Sequence, residues 1–188
     1  MSARCFISVD VEGSELLDAL VGVQDDLRST GADLKLVKKD NIHITMRFLG
    51  DVDEGLVKKL KELIGEVEFS PFSVELRGVG AFPNLRRPRV IWVGLAEGVE
   101  ELSRVYSEVE SGVTGLGFKP ESRGFSPHIT LARVRSGRNR DALVERLRGH
   151  TDDSFGGFLV ERVKLKRSVL TPSGPVYSTL AGSVSTGF

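Results

Sequence analysis

A chain of 188 residues with 40% hydrophobic content is long enough to bury a substantial core, and it fits one domain or two small fused lobes. Its 26 basic residues balance its 26 acidic ones, so no global field draws in nucleic acid, and the single Cys5 excludes an internal disulfide or a multi-thiolate metal site. The longest apolar runs are too short to span a bilayer and no basic-then-apolar leader opens the chain, so a soluble, cytoplasmic protein with no membrane partner is expected. Glutamine is nearly absent and asparagine scarce, while Arg, Glu and Val are frequent, a composition that leans towards a thermophilic source.

Arg4 to Asp10 reads as a first strand. Ser14 is a candidate N-cap for a helix on which Leu16, Leu17, Leu20, Val23 and Leu27 recur with helical spacing, closed by Gly31. Asn41 to Phe48 alternates strictly, with Asn41, His43, Thr45 and Arg47 on one side and Ile42, Ile44, Met46 and Phe48 on the other. A strand of period two turns the first set to one face and the second to the core. Asp53 caps a second helix carrying Leu56, Leu60, Leu63 and Ile64. Two strands follow, Phe72 to Ala81 and Arg89 to Leu95, joined by a loop with Pro83, Arg86, Arg87 and Pro88. A third helix fits Val99 to Val109, and a glycine-bearing stretch, Gly112 to Gly124, leads to a second histidine strand. Asp141 to Arg148 is a fourth helix, and Phe155 to Leu170 with Val176 to Ala181 reads as a closing hairpin before a loose tail from Ser183. Strands mixed with helices in this order give an α+β fold. The two histidine strands lie 85 residues apart and each precedes a helix, which indicates two similar lobes facing each other.

His-Ile-Thr occurs twice, at His43-Ile44-Thr45 and His128-Ile129-Thr130, each followed by a large apolar residue, Met46 or Leu131. On a strand, residues i and i+2 share a face, so each histidine projects with its threonine while the isoleucine anchors the strand beneath. One such tripeptide is ordinarily a half-exposed polar face. Its repetition, in a chain with three histidines, points instead to a paired acid and base near neutral pH. If the strands meet, two imidazoles and two hydroxyls converge, an arrangement suited to in-line displacement at phosphorus. Arginines cluster at Arg86, Arg87 and Arg89 and again at Arg133, Arg135, Arg138 and Arg140, and such patches bind phosphates unless they are only solvated surface charge. His150 lacks the motif and reads as a surface residue at a helix C-terminus. Trp92 and Phe48 are capable of stacking on a base but, as large apolar strand residues, are expected in the core. The histidines have no spacing suited to zinc, and no Gly-x-x-x-x-Gly-Lys-[Ser/Thr] loop is present.

The paired motifs resemble those of the two-histidine (2H) phosphoesterase superfamily, and within it the RNA 2′,3′-cyclic phosphodiesterases, also called 2′-5′ RNA ligases. The likeness is carried by Asn41 to Thr45 with Phe48-Leu49-Gly50, by Phe82-Pro83 with Arg87 to Gly94, by Phe125 to Leu131, and by the Ser168 to Tyr177 segment. The resemblance implies two pseudo-symmetric lobes, each an antiparallel sheet with helices on its outer face, around a central cleft. Residues 1–181 would form one domain of two intertwined lobes and 182–188 a C-terminal tail. It also implies metal-independent hydrolysis of an RNA 2′,3′-cyclic phosphate to a 2′-phosphate, with no cofactor. His43 would be the general acid, His128 the general base, Thr45 and Thr130 the holders of the non-bridging oxygens, and Arg133 the balance for developing charge. By strict alternation Arg133 faces away from His128, and it reaches the phosphate only if the strand bulges or ends at Ala132. Expected partners are cyclic-phosphate RNA ends, with tRNA fragments and a nucleotide as further candidates, and the expected state is a monomer. The alternatives are a ligase running the reverse reaction in the same site, or an RNA- or nucleotide-binding module without turnover.

Overall fold

The computed structural model describes residues 2–172 and 174–185. Its strands are β1 (Ser2–Asp10), β2 (Leu34–Leu36), β3 (His43–Asp53), β4 (Glu68–Phe69), β5 (Phe72–Phe82), β6 (Val90–Glu97), β7 (Ile129–Val134), β8 (Ser154–Val160), β9 (Lys164–Thr171), β10 (Gly174–Gly182) and β11 (Val184–Ser185). Four helices accompany them: α1 (Ser14–Ser29), α2 (Glu54–Glu66), α3 (Val99–Gly115) and α4 (Arg140–Gly149). The main sheet runs β10-β9-β1-β3-β7-β6-β5-β8, with β2 also paired to β7. Within each half all neighbours are antiparallel, and the halves join through one backbone pair, Ile44 opposite Ile129. The α+β reading holds, and the two similar halves are two half-sheets of one continuous sheet.

Helices pack on one face of this sheet. α1 lies against β7, β8 and α4, while α2 lies against β1, β3, β9, β10 and α3. Leu16, Leu20, Val23 and Leu27 form the buried stripe of α1, each contributing up to about 1.5–3 kcal/mol by leaving water. Its N-cap is Gly13 and not Ser14, which is the first helical residue. Asp53 caps α2 as its spacing requires, accepting from the Leu56 amide at 2.9 Å. α3 runs six residues beyond the expected end at Val109, because Gly112 lies inside the helix, where it touches α2: a Cβ there would come within 2.3 Å of Leu63 Cδ1. The expected single strand over Phe155 to Leu170 is two, separated at 161–163, and they pair at opposite ends of the sheet, β8 on β5 and β9 on β1 and β10. Of the expected loose tail, Ser183 is buried and β11 pairs with β4, so the chain stays anchored through Ser185, while 186–188 lie outside the described residues.

A β-bulge interrupts each histidine strand at the same place. On β3, Thr45 pairs with Ser8 and Arg47 with Ile7, so Met46 is the extra residue. On β7, Thr130 pairs with Trp92 and Ala132 with Ile91, so Leu131 is extra. Each bulge reverses the alternation beyond it. Arg47 therefore turns to the helix-covered side and Phe48, 65% exposed, comes out on the His43 face, the opposite of what strict alternation predicts. The bulge on β7 meets the condition set for Arg133, which pairs with Val90 and so shares the face of Trp92 and Thr130.

Two polar ties cross the helix layer. Buried Arg47 sits with Nε 3.0 Å from Glu110 on α3, donates from Nη1 to Glu121 at 2.6 Å and from Nη2 to the Lys119 carbonyl. The Nε contact is electrostatic, since neither Arg47 Nε nor Glu110 Oε2 makes an aligned hydrogen bond. Arg47 thus fastens β3 to the 116–128 segment that delivers His128. His150 at the end of α4 is half-buried and bridges Asp153 at 2.6 Å and Asp26 of α1 at 2.8 Å.

Arg47→Met leaves two carboxylates facing one another without their cation. It is expected to cost roughly 2–3 kcal/mol in urea denaturation, below the value for a fully buried pair because Glu121 is part exposed, and to raise amide exchange across 116–127. An unchanged midpoint with unchanged exchange would remove this tie from the fold. For His150, burial lowers the pKa, but the hydrogen bonds and charges of Asp153 and Asp26 outweigh it and the net direction is up. The bond from His150 holds Asp26 low. A raised histidine stabilises below its unfolded pKa, about 6.5, and loses this as pH rises through the folded value; the lowered aspartate stabilises above about 3.9. Wild type should therefore exceed His150→Ala by about 1 kcal/mol near pH 5–6, a value discounted for solvent screening, and the gap should narrow by pH 9 in denaturant titrations. A constant gap across that range would show that protonation plays no part.

Candidate active site

The Ile44–Ile129 pair sets the site. In an antiparallel pair, the residue before one partner faces the residue after the other. His43 therefore faces Thr130, and Thr45 faces His128. Diagonal neighbours across such a pair have backbones about 7–8 Å apart, which makes His43 and His128 neighbours on one face. The structure thus brings together His43, Thr45, His128 and Thr130, and the β7 bulge adds Arg133 to their face.

Each ring is pinned the same way. His43 Nδ1 lies 2.6 Å from the Asn41 carbonyl and His128 Nδ1 lies 2.7 Å from the Ser126 carbonyl. A carbonyl only accepts, so Nδ1 carries the proton in the neutral ring and Nε2 is left for chemistry. In that tautomer Thr45 donates its hydroxyl to His43 Nε2 across 3.0 Å. Aromatic rings wall each imidazole. Phe6 and Tyr177 have centroids 5.1 and 5.6 Å from His43, and Phe82 and Trp92 lie 5.0 and 6.3 Å from His128. Trp92 fits because the facing residue is Gly80, where a Cβ would come within 2.3 Å of the indole. It is therefore a wall of the site and not the core residue its type suggests.

Burial is the largest influence on His43 and pushes its pKa below the ordinary value; the Asn41 carbonyl and Asp10 oppose this, while Lys166 and His128 add to it. Asp10 pairs with His43 in the β1–β3 register and binds Lys164 at 2.9 Å and Lys166 more closely. Burial raises the Asp10 pKa, but the two lysines outweigh it and the net direction is down. Tyr177 is pushed up by burial, opposed by the charges of Arg133 and Arg4. The charge of Arg133 on β7 thus reaches across the joint to a residue of the other half.

Tyr177, Phe6, Phe82 and the Asp10–Lys164–Lys166 group were not singled out from the residues themselves. The lysines had a signal, since Lys164 and Lys166 flank Leu165 with period two, but nothing local told that β9 lies beside β1. Among the described residues no group of three or more His, Cys, Asp or Glu is placed to hold a metal ion, and no helix is long and apolar enough to cross a membrane.

Known proteins share this architecture. A family model described as LigT like Phosphoesterase matches residues 11–92 and again 93–177, so each half of the chain carries one match and one histidine motif. An RNA 2′,3′-cyclic phosphodiesterase of Aeropyrum pernix is 44% identical over 165 residues, covering 88% of this chain and 94% of that protein. One of the same name from Methanothermobacter thermautotrophicus is 37% identical over 182 residues, covering 96% and 97%. The crystal structure of Escherichia coli LigT complexed with 3′-AMP superposes with a TM-score of 0.80 over 99% of both chains at 24% identity, a likeness of fold. A Thermus thermophilus structure, TT0787, gives 0.76 over 95% of this chain and 96% of its own at 31% identity. The two matched halves, the coverage of these relatives and the shared fold place the chain in one group: it belongs to the LigT-like phosphoesterase family.

Proposed function

We propose that this protein hydrolyses the 2′,3′-cyclic phosphate at an RNA 3′ end to a 2′-phosphate and a free 3′-hydroxyl. The observation that carries the reading is the pair of imidazoles, each with Nδ1 held by a carbonyl two residues back and Nε2 left for chemistry, on strands that meet at one residue pair. The names of the Aeropyrum and Methanothermobacter relatives support the substrate.

In the proposed reaction His128 Nε2 takes a proton from water as its oxygen attacks phosphorus. The P–O3′ bond opposite breaks, and His43 gives its Nε2 proton to O3′. Thr45 and Thr130 donate to the non-bridging oxygens, so Thr45 releases His43 Nε2 as substrate arrives. Arg133 balances the charge that builds on phosphorus. After one turnover His128 is protonated and His43 neutral, and exchange with solvent restores both. Acid, base and charge balance all come from side chains, so the reaction needs no metal. The burial that lowers the His43 pKa opposes its role as acid in the free protein. A bound phosphate anion works the other way, stabilising the imidazolium when the substrate is in place.

His43→Ala and His128→Ala should each lower the rate on an oligonucleotide with a cyclic end by roughly 10²-fold or more, with the double variant little worse than either single one. EDTA should leave wild type unaffected, and the end-group assay should find the 2′-phosphate. Near-normal turnover in either variant, or a loss in EDTA restored by one divalent ion, would overturn the mechanism. A 3′-phosphate product would mean that O2′ and not O3′ lies beside the acid.

The pH profile follows from the direction of the His43 shift. An acid must be protonated, so kcat/KM, which reports the free protein, should fall as pH rises through a value below about 6.5. The fall in kcat should come at higher pH, because the bound anion raises the pKa of the acid. Both limbs belong to the coupled pair. If rate rises as His43 loses its proton in an NMR titration, His43 is the base and the roles are exchanged.

A further inference from the structure

A second anion-binding feature lies beyond the histidines. Five arginines, Arg87, Arg89, Arg123, Arg135 and Arg140, line one open groove of about 730 Å³. They come from the β5–β6 loop, the segment before His128, the turn after β7 and the first residue of α4. No acidic side chain lines the groove, and among the described residues none of the five is in a salt bridge, although Asp141 stands beside Arg140 in sequence. α4 begins at Arg140 with no side-chain cap on its first turn, which adds the positive end of the helix to the same place. Arg86 and Arg138, expected to belong to these patches, are not part of the lining.

Like charges held together without counter-charges cost stability, and no packing role repays it, since all five side chains are exposed. The groove is also built on the same strands as the histidine site. Its wall includes Pro83, next to the Phe82 ring on His128, and Val134, next to Arg133. Backbone bonds from Arg89 to the Phe82 carbonyl at 2.8 Å and from Val134 to the Arg89 carbonyl at 2.9 Å join the two. An arginine presents a planar fork matched to phosphate oxygens, and here the arginines come from three separate stretches of chain, 87–89, 123 and 135–140, around one open groove. That distribution fits a string of phosphodiesters better than a compact triphosphate.

We propose that this groove holds the phosphodiester backbone of the RNA strand running 5′ from the cyclic end, so that a polynucleotide terminus gains contacts that a free cyclic nucleotide lacks. The proposal rests on the reading of the His43–His128 site as acting on a cyclic phosphate. The cyclic group is by its chemistry the 3′ end, so the remaining chain must leave the site in one direction, and the arginines supply a path.

The test compares wild type with the variant Arg87→Gln, Arg135→Gln, Arg140→Gln on two substrates: an oligonucleotide of about eight nucleotides with a 2′,3′-cyclic end, and 2′,3′-cyclic AMP. Expected for the oligonucleotide is a fall in kcat/KM of about tenfold or more, with the slope of log kcat/KM against log salt flattened by about 0.7 for each phosphate that the variant no longer neutralises. Cyclic AMP turnover should be unchanged, which also shows that the variant is folded. Equal loss on both substrates, or no loss on the oligonucleotide, overturns the proposal. A second arm measures binding of the same RNA with a plain 3′-hydroxyl by fluorescence anisotropy. It should weaken in the variant even if wild type hydrolyses neither substrate, an outcome that would sink the hydrolase reading alone. ATP binding to wild type as tightly as the oligonucleotide, and lost in the variant, would make the groove a nucleotide site and overturn the backbone assignment.

Discussion

The chemistry of this fold hangs on one backbone pair. Ile44 and Ile129, both fully buried, are the only described residues through which the two half-sheets are in register. Four polar side chains flank that pair by one residue on each side, all on the face away from the isoleucines. A shift of one residue at this joint would set one strand's histidine and threonine on the opposite face from the other's. The isoleucines cost nothing to bury and resist such a slip, whereas a polar residue at either place would need a partner in the interior. The tripeptide is therefore a structural unit as well as a chemical one: its centre sets the register and its ends use it.

The two motifs are alike but their surroundings are not. His43 stands opposite Asp10, with Lys164 and Lys166 behind the carboxylate, while β6 places Gly94, with no side chain, one residue beyond the Val93–Ile129 pair and hence opposite His128. Bulges at Met46 and Leu131 break both strands at equivalent places, but one then presents Phe48 and the other Arg133 to the open face. A symmetric frame thus holds a desolvated imidazole beside the Asp10–Lys166 pair on one side and an imidazole between Phe82 and Trp92 on the other. The proposed acid and base would need opposite protonation states at one pH and hence such a difference, and the repeat of the tripeptide alone carries no trace of it.

Much of this was legible in the sequence because alternation and helical spacing are local. Period two put His43 with Thr45 and His128 with Thr130, and the Asp53 cap and the Leu60–Ile64 stripe marked α2. What escaped depends on neighbours. Met46 and Leu131 are apolar whether a strand bulges or not, so the reversal that exposes Phe48 and buries Arg47 leaves no mark on the pattern. Gly112 reads as a helix stop until Leu63 of α2 is seen to fill the space a side chain would take. The run from Phe155 to Leu170 has strand composition throughout, and only pairing sends its first part to β5 and its second to β1. Trp92 is large and apolar, and Gly80 opposite it decides that it walls the site.

The family match divides the chain near residue 92, yet the sheet does not divide there. Each sequence half contributes its own histidine strand and lends a strand to the other: β5 from the first half pairs with β8 of the second, and β9 from the second pairs with β1 at the start of the chain. The helices follow suit, since α1 from the first half packs against β7 and β8 of the second. This exchange gives a physical reason why two copies of a weak motif make one precise site. Two independent lobes joined by one residue pair would hinge about it, and the histidines would separate. With the strands exchanged, the chain crosses the joint from β3 to β5 and again from β8 to β9, α1, which follows β1, packs on β7 and β8, and α2 meets α3, so the distance between the imidazoles is held by these crossings and not by Ile44 and Ile129 alone.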